Sequence, residues 1–158
     1  GDPSPVRAKT PAQMTRRGFG LLGAVALVGG AVRDALLGRH NPHPDLDLVV
    51  RSDALRHSAR LAKIFGGKHV VLDEQRDIAR LVLNGWTIDV ARQEGDGLED
   101  DLWRRDYSIN AIALPLQPMA SLCDPTGGLG DLKQGRLRGR CIHRLQQRIQ
   151  IWCSKNLS

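Results

Sequence analysis

The sequence predicts an α/β chain of the α+β kind, a mixed and mainly antiparallel sheet flanked by helices, on three observations. Short apolar runs alternate with amphipathic stretches in the first half, in the order strand, helix, strand, helix. Three strand-like segments then follow one another across short turns, which breaks any regular βαβ repeat. The 158 residues are 41% hydrophobic, enough for one real core. Only 4% are aromatic, so Leu, Val, Ile and Ala must fill that core, with Phe19, Phe65, Trp86, Trp103, Tyr107 and Trp152 as scattered anchors.

Residues 1–13, GDPSPVRAKTPAQ, lack any apolar period and read as a disordered leader. AVALV (24–28) reads as a strand closed by Gly29-Gly30, and AVRDALLG (31–38) as a helix stopping at Gly38. After the Pro-broken RHNPHP, the segment DLDLVV (45–50) alternates and then turns fully apolar, which predicts a buried strand. SDALRHSARLAKIFGG predicts a helix capped at Ser52, with Leu55, Ala59, Ala62 and Ile64 on one side and Gly66-Gly67 as its stop.

KHVVLD, DIARLVLN and GWTIDVAR read as three strands joined by DEQR and by Asn84-Gly85, a hairpin signal. GLEDDLWRRDYSINAIAL (97–114) reads as a helix, since acids near its start and bases further on suit the helix dipole. DPTGGLGDLKQG reads as a turn entering a short helix.

Seven Lys and Arg residues fall after Asp131 with no acid among them, more than the whole net charge of +6. Basicity is thus a property of the tail, which suits either a solvated end or an RNA-facing surface. Cys123, Cys141 and Cys153 are odd in number and lack CxxC spacing, so they argue against a disulfide framework or a zinc site and suit a reducing, cytoplasmic compartment.

Two decoys sit near the start. Thr15-Arg16-Arg17 before an uncharged run resembles an export signal, but the run from Gly18 to Val32 is shorter than the roughly 20 residues of a membrane span. Gly18-Phe-Gly20-Leu-Leu-Gly23 spells a dinucleotide fingerprint, yet a polar leader precedes it and a strand follows, the reverse of what that motif needs.

Asp45 and Asp47 stand one residue apart in a predicted strand, so both carboxylates face the same way and repel. Such an oxygen pair suits Mg²⁺, which takes one or two carboxylates and fills its shell with water and phosphate; the plain alternative is two solvated acids at a strand start. Upstream, the Gly29-Gly30 turn lets backbone N–H groups approach an anion at a helix start, and Arg33 adds a fork-shaped cation. Each is ordinary alone, a tight turn and a surface arginine, but together with the acid pair they join a phosphate site to a metal site. Asp89 in TIDVA is a candidate third carboxylate on a neighbouring strand, or else an exposed residue of the other face.

LVGGAVRDALLGR followed by DLDLVV resembles the class II tRNA nucleotidyltransferase and bacterial poly(A) polymerase family, within the DNA polymerase beta-like nucleotidyltransferase superfamily. LEDDLWRRDYSINAIAL and CDPTGGLGDLKQGRLR resemble two further motifs of that family, in the right order, over roughly residues 25 to 138. The resemblance implies a nucleotidyltransferase head fold over residues 14–138. It also implies transfer of a nucleoside monophosphate from CTP or ATP to a tRNA or other RNA 3′ hydroxyl. It assigns Asp45 and Asp47 to two Mg²⁺ ions, Gly29, Gly30 and Arg33 to the triphosphate, and Arg105 and Asp106 to the nucleotide, Asp106 near the ribose.

Without the family, Arg104-Arg105-Asp106 would read as a surface ion-pair cluster. Asn110 matches the family's Asn and equally suits capping or packing. Two other readings stand beside CCA addition: a poly(A) polymerase-type head, and a module that binds Mg-nucleotide or RNA without catalysis.

The family continues into a segment whose Asp and Arg choose the incoming base, then into neck, body and tail domains. Here residues 139–158 form a divergent basic tail with no acid, so a truncated head is expected, its standalone activity open. Ile142, Leu145 and Ile149 could form a short basic amphipathic helix; a frame-shifted end or a cover over the sheet edge are the alternatives.

Overall fold

A computed structural model describes residues 25–39, 41–43, 45–117 and 120–138. The leader, the Gly18–Gly23 fingerprint, Thr15-Arg16-Arg17 and the tail after Arg138 lie outside the described residues, as does the export-like run before Val25. The elements run β1 (Val25–Val28), α1 (Gly30–Leu36), β2 (Leu46–Val50), α2 (Ala54–Phe65), β3 (Lys68–Asp73), β4 (Ile78–Leu83) and β5 (Trp86–Arg92). Then come α3 (Leu98–Trp103), a 3-10 turn (Ser108–Asn110), β6 (Ala113–Pro115) and α4 (Gly128–Gln134).

The strands form one sheet in the order β3-β4-β5-β2-β1-β6, in which β2 and β5 run parallel and the other named pairs antiparallel. The expected mixed, mainly antiparallel sheet is therefore present. Asn84 at φ 47 and Gly85 at φ 84 make the β4–β5 hairpin turn that Asn-Gly announces.

One face of the sheet is the main core. Leu48 and Val50 of β2, Leu81 and Leu83 of β4, and Ile88 and Val90 of β5 pack against Ala54, Leu61 and Ala62 of α2. A second cluster joins Ala26, Val28, Val49, Leu102, Ala111 and Ala113. By strand alternation, Asp47, Asp89 and Arg80 fall on the face opposite α2.

Four sequence expectations need correction. The stretch 97–114 is not one helix: α3 ends at Trp103, Tyr107 is extended, and a 3-10 turn and β6 follow. Pairing with β1 draws Ala113 into the sheet and overrides helical propensity. Arg104 caps α3, so Arg105 and Asp106 lie beyond the helix rather than on it.

Helix α2 buries Ala54, Ser58, Leu61 and Ala62, while Ala59 and Ile64 are exposed. Its cap is not Ser52. Asp77, in the β3–β4 turn, accepts from the backbone N–H of Ala54 at 2.9 Å and of Leu55 at 2.8 Å. A cap from 22 residues away welds the helix start to the hairpin turn. Replacing Asp77 by Gly, which keeps its φ of 57 comfortable, is expected to cost about 1–2 kcal/mol in urea unfolding.

The fourth correction concerns the aromatics. Trp103 and Tyr107 are exposed, and Phe65 and Trp86 only partly buried. The described core is aliphatic throughout.

Candidate active site

The site forms where β1 ends against β2. Val28 pairs with Asp47, so the next residue, Gly29, turns beside that carboxylate. Gly29 has φ 76, and a Cβ there would stand 3.1 Å from Asp47 Oδ2. Only glycine supplies both the left-handed backbone and the room for this approach. Gly30 opens α1, and Arg33, one turn in, donates its backbone N–H to Gly29 O at 3.2 Å.

Across β2, Asp47 is in register with Asp89 on parallel β5. Asp45 precedes the first paired residue of β2 and is exposed. Burial, reinforced by the Asp89 charge, pushes the Asp47 carboxyl above the usual range; Arg105 and Arg80 pull it down and Asp45 raises it. The three acids and two arginines thus share one local field. Among the described residues, neither Asp45 nor Asp47 accepts a hydrogen bond or joins an ion pair within 4 Å.

Asp89 differs. Both its oxygens are taken by Arg80, with Nε at 2.8 Å and Nη2 at 3.0 Å. Among the described residues no group of three or more acid, His or Cys side chains stands ready for a metal ion. What remains is a pair of unengaged carboxylates with no thiolate or imidazole among its donors. That donor set fits a hard cation such as Mg²⁺, which needs few protein ligands.

On the far side of the same sheet face lies an open cleft of about 810 Å³, whose lining includes Val49, Arg51, Asp101, Arg105, Asp106 and Asn110. Asp45 and Asp47 are not in its lining. Arg105 donates from Nη2 to Asp101 Oδ1 at 3.2 Å, and its buried Nε meets no acceptor among the described residues. Asp106 is exposed at the cleft.

The structure therefore brings Gly29, Gly30, Arg33, Asp45 and Asp47 together where β1 meets β2 within the sheet, with Arg105 near enough for its charge to act on Asp47, while Asp106 lines the cleft. Sequence reasoning missed Arg80 and Asp101. Arg80 was findable, since the Asn84-Gly85 hairpin sets it opposite Asp89 as a cross-strand charge pair. Asp101 is buried and also accepts from the Glu94 backbone N–H at 2.8 Å, yet in sequence it is one of three acids in a row.

Sheet order, glycine turn and acid pair together define a nucleotidyltransferase head fold. Solved structures share it: residues of this chain superpose on the Thermotoga maritima CCA-adding enzyme, solved in complex with tRNA, with a TM-score of 0.69 at 36% identity, over 85% of this chain and 34% of that one. The chain belongs to the Poly A polymerase head domain family, whose model matches residues 25–138.

Among curated relatives it is 50% identical to a CC-adding tRNA nucleotidyltransferase of Synechocystis sp. over 71% of this chain and 27% of that protein. It is 35% identical to an A-adding tRNA nucleotidyltransferase of Halalkalibacterium halodurans, over 71% of this chain and 30% of the relative. The chain spans about a third or less of the length of each. No helix among the described residues is long and apolar enough to cross a membrane.

Proposed function

We propose that this chain is the catalytic head of an RNA 3′-end nucleotidyltransferase, adding C or A from CTP or ATP to tRNA 3′ ends with Mg²⁺. The observation that carries the reading is the unengaged Asp45 and Asp47 pair beside the Gly29-Gly30 turn, with Arg105 in the same field. The names of its relatives, CC-adding and A-adding, support the substrate class while leaving both nucleotides in play. A tRNA substrate suits a cytoplasmic location.

Asp45 and Asp47 would hold the metal. When bound, Mg²⁺ neutralises the triphosphate and lowers the pKa of the attacking 3′ hydroxyl. The backbone of Gly29 and Gly30 and the guanidinium of Arg33 would bind the triphosphate. Arg105, fixed by Asp101, would take the nucleotide, and Asp106 would accept from the ribose hydroxyls.

The test mixes the 158-residue chain with Mg²⁺, labelled CTP or ATP, and tRNA lacking its 3′ end. Label transfer that disappears in Asp45→Ala supports the reading. Metal-dependent nucleotide binding without transfer would make the chain a binding module, and metal-independent binding would count against Asp45 and Asp47.

A further inference from the structure

The guanidinium of Arg33 is held at two points. Nε donates to Asp34 Oδ1 at 2.9 Å, and Nη1 donates to Asn110 Oδ1 at 2.9 Å. The second bond spans 77 positions and ties α1 to the 3-10 turn just after Arg105-Asp106. Only the amide oxygen can accept from a guanidinium, so the contact also sets which way the Asn110 amide faces.

The third nitrogen, Nη2, lies over the glycine turn, 3.2 Å from where a Cβ on Gly30 would sit. It has no acceptor among the described residues. The turn carrying Asn110 is itself anchored: Ser108 Oγ donates to buried Asp131, and the Ser108 N–H donates to Arg138 O at 3.3 Å.

We propose that Asn110 is a positioning residue for triphosphate binding: its amide oxygen occupies Arg33 Nη1 and aims Nη2 at the Gly29-Gly30 turn. A free arginine samples many rotamers. Here two acceptors on different elements remove that freedom before the ligand arrives, and one donor is left for phosphate oxygens. The bond also links helix α1, which holds Arg33, to the 3-10 turn that follows Arg105 and Asp106. The inference rests on the nucleotidyl-transfer reading for its ligand.

The experiment titrates the 158-residue chain with Mg-CTP, Mg-ATP and inorganic tripolyphosphate, using Asn110→Leu, Arg33→Ala and the double variant. Asn110→Leu is expected to weaken all three ligands about tenfold. The double variant should bind no worse than Arg33→Ala, because Asn110 acts only through Arg33. Additive losses would overturn the proposal, since a merely structural Asn110 weakens binding whether or not Arg33 is there. Wild-type affinity in Asn110→Leu would overturn it too.

Asn110→Gln keeps an accepting amide oxygen without adding charge and should bind between wild type and Asn110→Leu. Should Asn110→Leu fail to fold, Asn110→Ala, which also removes the accepting oxygen, carries the same cycle with Arg33→Ala, and additivity there overturns the proposal. Failure of the unaltered chain to bind any of the three ligands overturns the nucleotidyl-transfer reading and the positioning role with it. Tight binding indifferent to Asn110 removes the positioning role alone.

Discussion

Replacing Asp47 by Asn is expected to lower metal-dependent nucleotidyl transfer by more than about 10³-fold, because a cation that stabilises transition-state charge by several kcal/mol loses a ligand. The same change should make the metal-free protein melt higher. Burial, together with Asp89 and Asp45, raises the Asp47 carboxyl above its ordinary pKa in the folded chain. As pH rises through the ordinary carboxylate range, the unfolded chain releases this proton first and the native state holds more protons, so stability falls.

At neutral pH the ionised Asp47 therefore opposes folding, and Asn removes that term. In EDTA the variant should gain a few degrees in Tm, and the part of the wild-type stability gain on acidification through the carboxylate range that belongs to Asp47 should disappear. Added Mg²⁺ should stabilise the wild type more than the variant. Scanning calorimetry with EDTA and with Mg²⁺ from pH 4 to pH 8 separates these outcomes. Equal melting of the two proteins under every condition would mean that Asp47 neither feels its neighbours nor binds metal.

Gly128→Ala is expected to be the most damaging small change in the fold. A Cβ at Gly128 would stand 2.1 Å from the Ser108 carbonyl oxygen, 2.8 Å from its carbon and 2.9 Å from Ile112 Cγ1. Two of these are backbone atoms, so no side-chain rotation relieves the clash. Helix α4, held at its start by Asp124 through the N–H groups of Gly128 at 2.7 Å and Leu129 at 3.0 Å, would have to back away from the 3-10 turn.

Overpacking of this severity costs about 2–4 kcal/mol. Gly130 provides the control, because a Cβ there meets nothing within 4 Å and alanine favours the helix. Urea unfolding should show a large loss for Gly128→Ala and none for Gly130→Ala. Since the displaced turn carries Asn110, nucleotide affinity should fall in the first and hold in the second.

These two residues show how unevenly the site was legible. Asp47 stood out because a strand's period of two puts Asp45 and Asp47 on one side and a glycine turn lies upstream. Gly128 reads in sequence as one of three glycines in TGGLG, and its contact with Ser108 joins positions 20 apart. The same distinction explains the errors. Strands β3, β4 and β5 were legible because hairpins are local, whereas 97–114 was misread because its end pairs with β1 across the sheet. The cap of α2 was misplaced because Asp77 is remote from Ser52 in the chain.

The strand and helix order over most of the described chain, the Asn84-Gly85 hairpin, the aliphatic core and the candidacy of the acid pair and glycine turn as one site can be read from the sequence alone. All of these follow from local period, turn chemistry and motif order. It took the folded arrangement to set Asp89 abreast of Asp47, to choose Asp101 as the partner of Arg105 and to join Asn110 to Arg33. Most of these contacts join separate elements across the fold and leave no period in the sequence, while Asp101 and Arg105 are an i,i+4 pair at the end of α3 that the sequence does not single out, because Asp100 and Arg104 stand at the same spacing.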